Sequence, residues 1–285
     1  MEHYDILIIG GGAAGIAAAK ECRGCRVLLV DRKRELGGVL LQCSHRGFGK
    51  NKNGREYTDD LTKDFPQEIT LALNTTVLEV TKEKTALLCG RHTGRKSVSF
   101  SQLILASGCR EIPIGALPIA GTRPEGVYTA GQMQEMLNLH GIIPEGPVVI
   151  LGSGDLGLIM AKHLRDCGLD VTLVEQRSTC GGMLRNQTVL KSPSVSLICG
   201  TTIRQICGQP YLEGCKLSDG TVISCRTLLI AAGLRPEREL IAGLEDAAWI
   251  TLCGNCSMVH PMVEGVVNEG RKAGRRACEN IRGGL

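Results

Sequence analysis

The sequence predicts an α/β fold with two Rossmann-like dinucleotide-binding domains. Three features of a pattern that occurs twice support this prediction. A run of large apolar residues leads into a glycine-rich turn, the turn opens a helical segment, and a second apolar run follows that ends in an acidic residue. One such pattern is compatible with a glycine-rich turn in an ordinary α/β sheet. Two copies in the same order predict two bound dinucleotides.

The first copy begins with residues 6–9, whose lack of polar alternation is typical of a strand buried on both faces of a parallel sheet. Gly10 permits the tight turn, Gly12 lets backbone N–H groups approach a pyrophosphate, and Gly15 lets the helix pack closely on the strand. The positive end of that helix faces the phosphates. Asp31 ends the next apolar run, where it is placed to accept hydrogen bonds from a ribose.

Length and composition limit the function classes. The 285 residues suit two domains of roughly 100–170 residues each. A net charge of +4 without a long basic run, together with 3% aromatic residues, argues against nucleic-acid binding. Acids precede the first apolar run and glycines interrupt it, so we expect no targeting segment and no membrane span. Fourteen cysteines without a secretory signal predict reduced thiols in a cytoplasm.

The segments after Asp31 complete the first predicted domain. Two consecutive glycines, residues 37–38, indicate either a close approach of the backbone to another group or an ordinary loop. Residues 43–66 are polar and irregular, a composition in which function often resides, and residues 69–80 and 85–100 are β-rich. Another buried strand then ends on small residues, and Pro113 follows, so the chain is expected to leave the first domain here. The small residues are Ala106, Ser107 and Gly108.

The second copy of the pattern follows a helix that Thr129 is expected to cap. Its glycines are Gly152, Gly154 and Gly157, and Glu175 ends its second strand. A carboxylate at this position favours NADH, because it accepts a hydrogen bond from a ribose 2′-OH and repels a 2′-phosphate. Arg177 leaves NADPH open, since an arginine there can pair with that phosphate. A strand ending at Gly233, a last strand and turn over 249–256 and a helix over 261–281 follow.

The order of these motifs resembles the two-dinucleotide-binding-domain flavoproteins of the pyridine nucleotide–disulfide oxidoreductase superfamily, whose fold is that of glutathione reductase and thioredoxin reductase. In that family the first fingerprint binds FAD, an NAD(P)H domain is inserted at an Ala-Thr-Gly-like strand end, and a Gly-Asp turn near the C-terminus contacts the flavin. The resemblance implies an FAD-binding domain over residues 1–113 and 245–285, and an NAD(P)H-binding domain over 114–244. It implies no C-terminal interface domain.

The resemblance also assigns cofactor-binding residues. Asn255 replaces the family's aspartate at the flavin turn, which keeps hydrogen bonding and removes a charge. The positions that match the FAD side are Gly10, Gly12, Ala13, Ala14, Gly15, Asp31, Arg32, Gly38, Val39, Val77, Ala106, Ser107, Gly108, Gly254 and Asn255. The positions that match the second nucleotide and its domain crossing are Gly152, Gly154, Asp155, Leu156, Gly157, Glu175 and Gly233.

Several segments look more specifically like one branch of the superfamily. This branch comprises FAD- and NAD-dependent oxidoreductases that are partners of glycerol-3-phosphate-dehydrogenase-like flavoproteins, and it is related to the larger subunits of opine and amino-acid oxidases. Relative to most of that branch, the sequence is short between Pro236 and Trp249 and at its C-terminal end. The segments that carry this likeness are residues 37–43, 45–49, 121–131, 152–160 and 253–260.

The candidate catalytic residues are Cys43, His45 and His260. Cys43 and His45 suit a thiol and acid–base pair that faces the flavin. His260 is placed to add a proton or a charge at the flavin turn, and an ordinary surface histidine is the alternative. Cysteine pairs at the positions used by disulfide reductases of the family are absent from the sequence, which disfavours a thioredoxin-reductase or glutathione-reductase mechanism.

The two C-x-x-C pairs lie elsewhere. Cys22 and Cys25 fall at the end of the predicted sheet away from the ligands, because ligands bind at the carboxyl ends of the strands. Cys253 and Cys256 fall at the flavin turn, where either a redox role or simple packing explains them. Two pairs so far apart do not make a recognisable zinc or cluster spacing, so no metal is predicted.

The resemblance implies an FAD-dependent NAD(P)H oxidoreductase. Hydride passes between the nicotinamide and FAD, and electrons pass to or from a small-molecule or protein partner. One alternative is an electron-relay subunit of a dehydrogenase complex of the glycerol-3-phosphate or opine and amino-acid oxidase type, with a flavoprotein dehydrogenase as its partner. Another is a nucleotide-binding redox sensor without catalytic flux. A homodimer is compatible with each of these.

Overall fold

The computed structural model describes residues 1–283 and contains two compact units. Unit 1 combines Met1–Arg110 with the chain from Arg235 onward, and unit 2 is Glu111–Leu234. The sequence placed the return crossing after residue 244, whereas the units divide after Leu234. The physical reason is that Ile241 and Leu244 pack in an apolar core of unit 1.

Unit 1 is built on a seven-stranded sheet. Its central strand, the first in the chain, runs parallel to two neighbours, and Ile9 pairs with Val30 on one side and with Leu105 on the other. The carboxyl ends of these three strands therefore meet beside Gly10. The first part of the unit consists of β1 (Glu2–Ile9), α1 (Ala13–Glu21), β2 (Val27–Val30), α2 (Gly54–Thr62), β3 (Thr70–Ala72), β4 (Thr75–Val80), β5 (Thr85–Gly90), β6 (Gly94–Leu105) and the crossing strand β7 (Cys109–Glu111).

Unit 2 contains a five-stranded parallel sheet and a smaller four-stranded sheet. Its elements are β8 (Ala120–Gly121), β9 (Val127–Thr129), α3 (Ala130–His140), β10 (Val148–Leu151), α4 (Asp155–Asp166), β11 (Val171–Glu175), α5 (Leu184–Gln187), β12 (Val195–Cys199), β13 (Ile203–Cys207), β14 (Gly214–Leu217), β15 (Val222–Ser224), β16 (Thr227–Ile230) and the return strand β17 (Leu234–Pro236). β10 lies between β11 and β16, so unit 2 repeats the arrangement of β2, β1 and β6.

The chain completes unit 1 with β18 (Ile250–Leu252), which pairs with β6, and with α6 (Val263–Gly283). α6 packs against α1 through Gly270 and Gly274. A Cβ at Gly270 would lie 2.2 Å from the carbonyl oxygen of Ala14, and a Cβ at Gly274 would lie 2.3 Å from that of Ala18. The two helices therefore approach closely only because these positions are glycine. Within residues 1–283, no helix is both long and apolar enough to cross a bilayer.

Candidate nucleotide-binding sites

The glycine-rich turn of unit 1 is shaped by contacts that exclude side chains at two of its glycines. Gly10 has a φ of +108°, and a Cβ there would lie 2.3 Å from the carbonyl oxygen of Ala106. A Cβ at Gly15 would lie 1.8 Å from the carbonyl oxygen of Gly10. Around Gly12, by contrast, no atom of the described chain lies within 4 Å of a Cβ position. Gly12 therefore faces the open space in which a pyrophosphate would lie.

The N-terminus of α1 is prepared for an anion. Gly12 is its N-cap and provides no side-chain hydrogen bond, and the first turn carries no acid. The free N–H groups and the positive end of the helix dipole therefore face the same open space. Ala13 and Ala14 are buried in this first turn, and their small side chains leave the start of the helix unobstructed.

Asp31 and the double glycine form the other wall of the turn. Asp31 accepts hydrogen bonds from the backbone N–H of Gly11 at 2.5 Å and of Lys33 at 2.7 Å, which fixes the carboxylate beside the turn. Gly38 lies against Gly12, since a Cβ at Gly38 would be 3.1 Å from the Gly12 Cα. The other sequence-predicted residues of this region lie at its edges: Arg32 and Val39 are exposed, and Val77 lies on β4 paired with Leu88.

The predicted flavin turn is held from several sides within unit 1. Ser107 donates its hydroxyl to the carbonyl oxygen of Glu237 at 2.6 Å, and Gly108 has a φ of +79° with open space where a Cβ would be. The Asn255 amide oxygen accepts from the His260 backbone N–H at 3.0 Å, and the Asn255 amide nitrogen lies 3.6 Å from the Cys109 sulfur. The asparagine that replaces the family's aspartate thus contacts protein groups at both ends of its amide.

Glu269 is a residue of this turn that the sequence reasoning missed. Its Oε2 accepts the backbone N–H of Gly254 at 2.8 Å, and its Oε1 lies 3.1 Å from Nε2 of His260. The His260 side chain is only 12% exposed and lies against Gly265, where a Cβ would be 2.6 Å from Nδ1. The available signal was helical spacing, which places an acid on the same face of α6 as Val266 and Ala273.

Three thiols lie near the turn, of which Cys253 and Cys256 are buried and Cys43 is half-buried. Burial raises the pKa of Cys43 to about 12, and its sulfur lies 3.3 Å from the carbonyl oxygen of Val39. The ring of His45 packs against Phe48 with centroids 5.1 Å apart. Burial also raises the pKa of Cys253, and Cys256 donates its thiol to the carbonyl oxygen of Leu105 at 2.9 Å. Cys43 and Cys253, whose pKa values are raised, are therefore poor nucleophiles at neutral pH.

A separate group of thiols joins α1 to α6. The sulfur of Cys25 lies 3.6 Å from that of Cys278 on α6, and Cys22 donates to the carbonyl oxygen of Ala18 at 3.2 Å. Burial raises the pKa of Cys22, and it raises that of Cys25 to about 11. These thiols follow the end of α1 and therefore lie at the opposite end of that helix from the glycine-rich turn.

Unit 2 repeats the shape of the first turn. Gly152 has a φ of +107°, and its Cβ would lie 2.4 Å from the carbonyl oxygen of Ala231. A Cβ at Gly157 would lie 2.2 Å from the carbonyl oxygen of Gly152, whereas the Cβ position at Gly154 has open space around it. The same two glycines are thus needed for packing, and the same middle glycine faces open space. Gly233, with a φ of +121°, lies against Ile112 at the crossing.

Glu175 is almost completely buried at the end of β11 and stays ionised. Its carboxylate accepts from the backbone N–H and the hydroxyl of Ser153 at 3.0 and 2.7 Å, and from the backbone N–H and Nε of Arg177 at 3.0 and 3.1 Å. Burial alone would raise the pKa of Glu175, but the hydrogen bonds from Ser153 and Arg177 outweigh it and lower the pKa to about 2.

Asp155 lies in the first turn of α4, where an acid would repel a phosphate if it faced the ligand. Its Oδ1 instead accepts from the backbone N–H of Met183 at 2.8 Å and from Nδ2 of Asn186 at 2.6 Å. Leu156 packs against the apolar core of unit 2. The carboxylate of Asp155 is therefore engaged by a neighbouring segment of the chain.

Three features shared by the two units fit a dinucleotide. Each unit offers a helix N-terminus, an open space at the middle glycine and an acid fixed beside the turn. The helix N-terminus would bind the negative charge of the pyrophosphate, and the open space would give it room. The acid would accept a hydrogen bond from the adjacent ribose. The residues of both units thus fit a pyrophosphate-linked dinucleotide, the class to which FAD and the nicotinamide nucleotides belong.

The chain is similar to known proteins over most of its length. A family model described as pyridine nucleotide-disulphide oxidoreductase matches residues 4–252. The chain is 29% identical to a subunit of the opine oxidase of Agrobacterium tumefaciens (strain Ach5), over 84% of this chain and 54% of that protein. It is 31% identical to hydrogen cyanide synthase subunit HcnB of Pseudomonas protegens, over 67% of this chain and 42% of that protein. The chain therefore spans about half the length of these curated relatives.

A solved structure resembles the chain over its whole length. Thioredoxin reductase from T. acidophilum superimposes with a TM-score of 0.79 and 18% sequence identity, and the match covers 98% of this chain and 99% of that one. This likeness confirms the predicted α/β fold with two Rossmann-like domains.

Proposed function

We propose, from the premise that this chain belongs to the pyridine nucleotide-disulphide oxidoreductase family, that it takes electrons from a nicotinamide nucleotide in unit 2 and passes them through FAD in unit 1 to a second redox partner. Membership of the family confirms the predicted cofactors, FAD and NAD(P)H, and the predicted class of oxidoreductase. The observation that carries the proposal is the shared geometry of the two turns, each open only at its middle glycine, Gly12 or Gly154.

The residues of the chain bind and orient, because the hydride chemistry is supplied by the flavin when it is bound. N–H groups at the starts of α1 and α4 hold the two pyrophosphates. Asp31 orients the adenosine ribose of FAD. Glu269 and His260 fix the Gly254–Asn255 turn and so position the backbone that faces the flavin.

The second redox partner is proposed to be something other than a disulfide reduced by this chain's thiols. A disulfide reductase needs an accessible thiolate, because the thiolate is the nucleophile in exchange. Burial keeps Cys43 and Cys253 protonated by raising their pKa values. All fourteen cysteines carry free thiols, which supports a reducing compartment such as the cytoplasm.

For the partner, we propose a second protein. The two curated relatives described above are both named as subunits, one of opine oxidase and one of hydrogen cyanide synthase. By analogy, the chain would act as the nucleotide-oxidising or electron-relaying subunit of a larger assembly. A redox sensor without catalytic flux is the remaining alternative.

The proposal predicts that two glycine variants each lose the function of one nucleotide site and keep that of the other. Gly12→Val and Gly154→Val each place a side chain where the described chain leaves open space, so both proteins should fold. Gly12→Val should purify without FAD and still bind NAD(P)H, whereas Gly154→Val should keep FAD that NAD(P)H no longer bleaches. FAD content, far-UV circular dichroism and anaerobic stopped-flow absorbance measure these outcomes.

The same stopped-flow experiment on the unaltered protein distinguishes the alternatives. Bleaching by NADH or NADPH with turnover on a dye acceptor supports an oxidoreductase, and bleaching with turnover only after a partner protein is added supports the subunit. Absence of bleaching by both nucleotides would contradict the proposed electron transfer. Stoichiometric FAD in Gly12→Val would contradict the assignment of the FAD turn.

A further inference from the structure

The two units share a second feature beyond the glycine-rich turn. In unit 1 a double glycine, Gly37–Gly38, follows Asp31, and in unit 2 the double glycine Gly181–Gly182 follows Glu175 at the same spacing. A leucine stands two residues after each pair, at Leu40 and Leu184. The repeat therefore extends through the segment that follows the acid. We call residues 180–186 the clamp segment.

The contacts made by the two double glycines also correspond. The N–H of Gly37 donates to the carbonyl oxygen of Gly11 at 2.8 Å, and the N–H of Gly181 donates to Oγ of Ser153 at 2.9 Å. Gly11 and Ser153 are the same position of their respective fingerprints. In both units, then, the first glycine is tied to the middle of the phosphate turn.

The second glycine of each pair lies against the start of the helix. Gly38 lies against Gly12, and a Cβ at Gly182 would lie 3.2 Å from the backbone nitrogen of Asp155 and 2.4 Å from the Leu158 side chain. Only glycine lets the backbone of the clamp segment come this close to the start of α4. The clamp segment thus forms a wall of the space in which a pyrophosphate would lie.

What differs between the units is how this wall is anchored. In unit 1, Leu40 is 4% exposed and packs in an apolar cluster with Ala13, Ala17 and Val267 of α6. In unit 2, the equivalent Leu184 is 82% exposed. There the anchor is the Asp155 carboxylate, which holds the N–H of Met183 and the side chain of Asn186. The buried leucine anchor is thus replaced by two hydrogen bonds, while the half-buried Cys180 at the start of the clamp segment packs against the apolar core of unit 2.

We propose that the clamp segment is a releasable wall over the phosphates of the nicotinamide nucleotide, with Asp155 and Asn186 as its latch. The inference rests on the proposed function of unit 2. Hydrogen bonds exchange with water at little net cost, whereas opening the unit 1 wall exposes buried apolar surface. The clamp therefore opens to exchange the nicotinamide nucleotide, and its counterpart in unit 1 stays closed over FAD. This assigns Asp155 and Asn186 as positioning residues.

The test uses the whole FAD-loaded protein and the variant Asn186→Ala, which removes one arm of the latch. Affinity for NAD⁺ and for ADP, measured by titration calorimetry, should fall roughly tenfold for both, because both carry the pyrophosphate. The dissociation rate of NAD⁺ should rise by a similar factor, and FAD content should stay stoichiometric. Asp155→Asn keeps an acceptor oxygen and should restore part of the loss seen in Asp155→Ala. Ser178→Ala, at an exposed position before the clamp segment, is the control.

A second measurement reports the position of the segment directly. Arg185 is exposed within it and is a site for trypsin. NAD⁺ and ADP should slow cleavage at Arg185 in the unaltered protein, whereas nicotinamide mononucleotide, which lacks a pyrophosphate, should not. A purely structural segment would show equal cleavage with and without nucleotide.

The outcomes separate this inference from the proposed function. If the unaltered protein binds neither NAD⁺ nor NADP⁺, the function proposed for unit 2 is wrong. If it binds NAD⁺ and Asn186→Ala binds it equally well, or if NAD⁺ leaves cleavage at Arg185 unchanged, the clamp is overturned and the proposed function stands.

Discussion

Glu175 shows how far the environment of one residue can be predicted from its place in a pattern. The strand-ending acid was expected to accept hydrogen bonds from a ribose, and the structure places four protein donors on it, from Ser153 and Arg177. The position of the acid followed from the fingerprint. The four donors could not be predicted in this way. The directions in which the Ser153 hydroxyl and the Arg177 side chain point depend on packing, which the local sequence does not determine.

The lowered pKa of Glu175 predicts a pH-dependent term in stability. Its pKa falls from 4.5 to about 2 on folding, so its contribution is present above pH 4.5 and is lost as the pH falls toward 2. Between pH 7 and pH 4 the free energy of unfolding of the unaltered protein should drop about 1 kcal/mol more than that of Glu175→Gln. Urea denaturation at the two pH values measures the difference. An equal drop in both proteins would contradict the depressed pKa.

The contacts of Glu269 and Asp155 were beyond residue-level prediction for a similar reason. Asp155 was predicted to bind the cofactor because it stands in the fingerprint, yet its carboxylate is engaged by Met183 and Asn186. Glu269 has no motif of its own and reaches Gly254 only because α6 folds back on the turn. Motif spacing locates a backbone turn well, whereas side-chain partners from distant segments require the tertiary structure.

At the scale of elements, the contact between α1 and α6 determines whether the FAD turn is held in place. Gly270 and Gly274 lie one helical turn apart on α6, and each lies against a carbonyl oxygen of α1. The N-terminus of the same α1 is the proposed binding site of the FAD pyrophosphate. We therefore expect a displacement of α6 to move that proposed site.

This packing predicts a large effect from one glycine. Gly274→Leu would force a side chain to within 2.3 Å of the Ala18 carbonyl oxygen, so the helices must separate. Overpacking of this kind costs about 1–3 kcal/mol. We expect a lower thermal midpoint, followed by Trp249 fluorescence, and a lower FAD content. Lys272→Leu, which adds the same side chain on the exposed face of α6, should leave both nearly unchanged. Equal losses in the two variants would argue against the close-packed seam.

Elements with a local signal were predicted, and those set by tertiary contacts were not. The predicted cap of α3 by Thr129 is confirmed, with Gln132 completing a capping box. α2 was missed within the polar stretch 43–66, although Asn53 and Glu56 form a capping box that the sequence displays. β6 is one continuous strand, where the sequence predicted the end of a β-rich stretch over 85–100 and then a separate buried strand. The first half of β6 is mostly exposed and the second half is buried. Because the hydrophobic pattern changes between the halves, the sequence predicted two strands.

At the scale of the whole molecule, the chain passes between units through two paired strands. The N–H of Ile112 donates to the carbonyl oxygen of Gly233 at 3.1 Å, and that of Glu237 donates to the carbonyl oxygen of Gly108 at 3.0 Å. β7 and β17 therefore run side by side. Unit 2 is thus inserted between two chain segments that are already adjacent.

This topology predicts that unit 2 can be removed. If residues 111–234 are replaced by a short Gly-Ser linker, all the positions proposed to contact FAD remain in the protein. The shortened protein should purify with stoichiometric FAD, measured by absorbance after denaturation, and NAD(P)H should no longer bleach it. Bleaching at the rate of the full chain would contradict the placement of the nicotinamide site in unit 2. Loss of FAD with retained circular dichroism would contradict the independence of unit 1.

The insertion also imposes an order on synthesis at the ribosome. The sheet of unit 1 begins to emerge first, but α6, which covers α1, follows only after the whole of unit 2 has been translated. At ~5–20 residues per second, roughly 10–30 s separate β6 from α6. During this interval the nascent chain carries a complete unit 2 and a unit 1 whose α1 is not yet covered by α6. A chaperone that shields nascent apolar surface would therefore act on unit 1, and we expect unit 1 to acquire its flavin only after α6 has been translated.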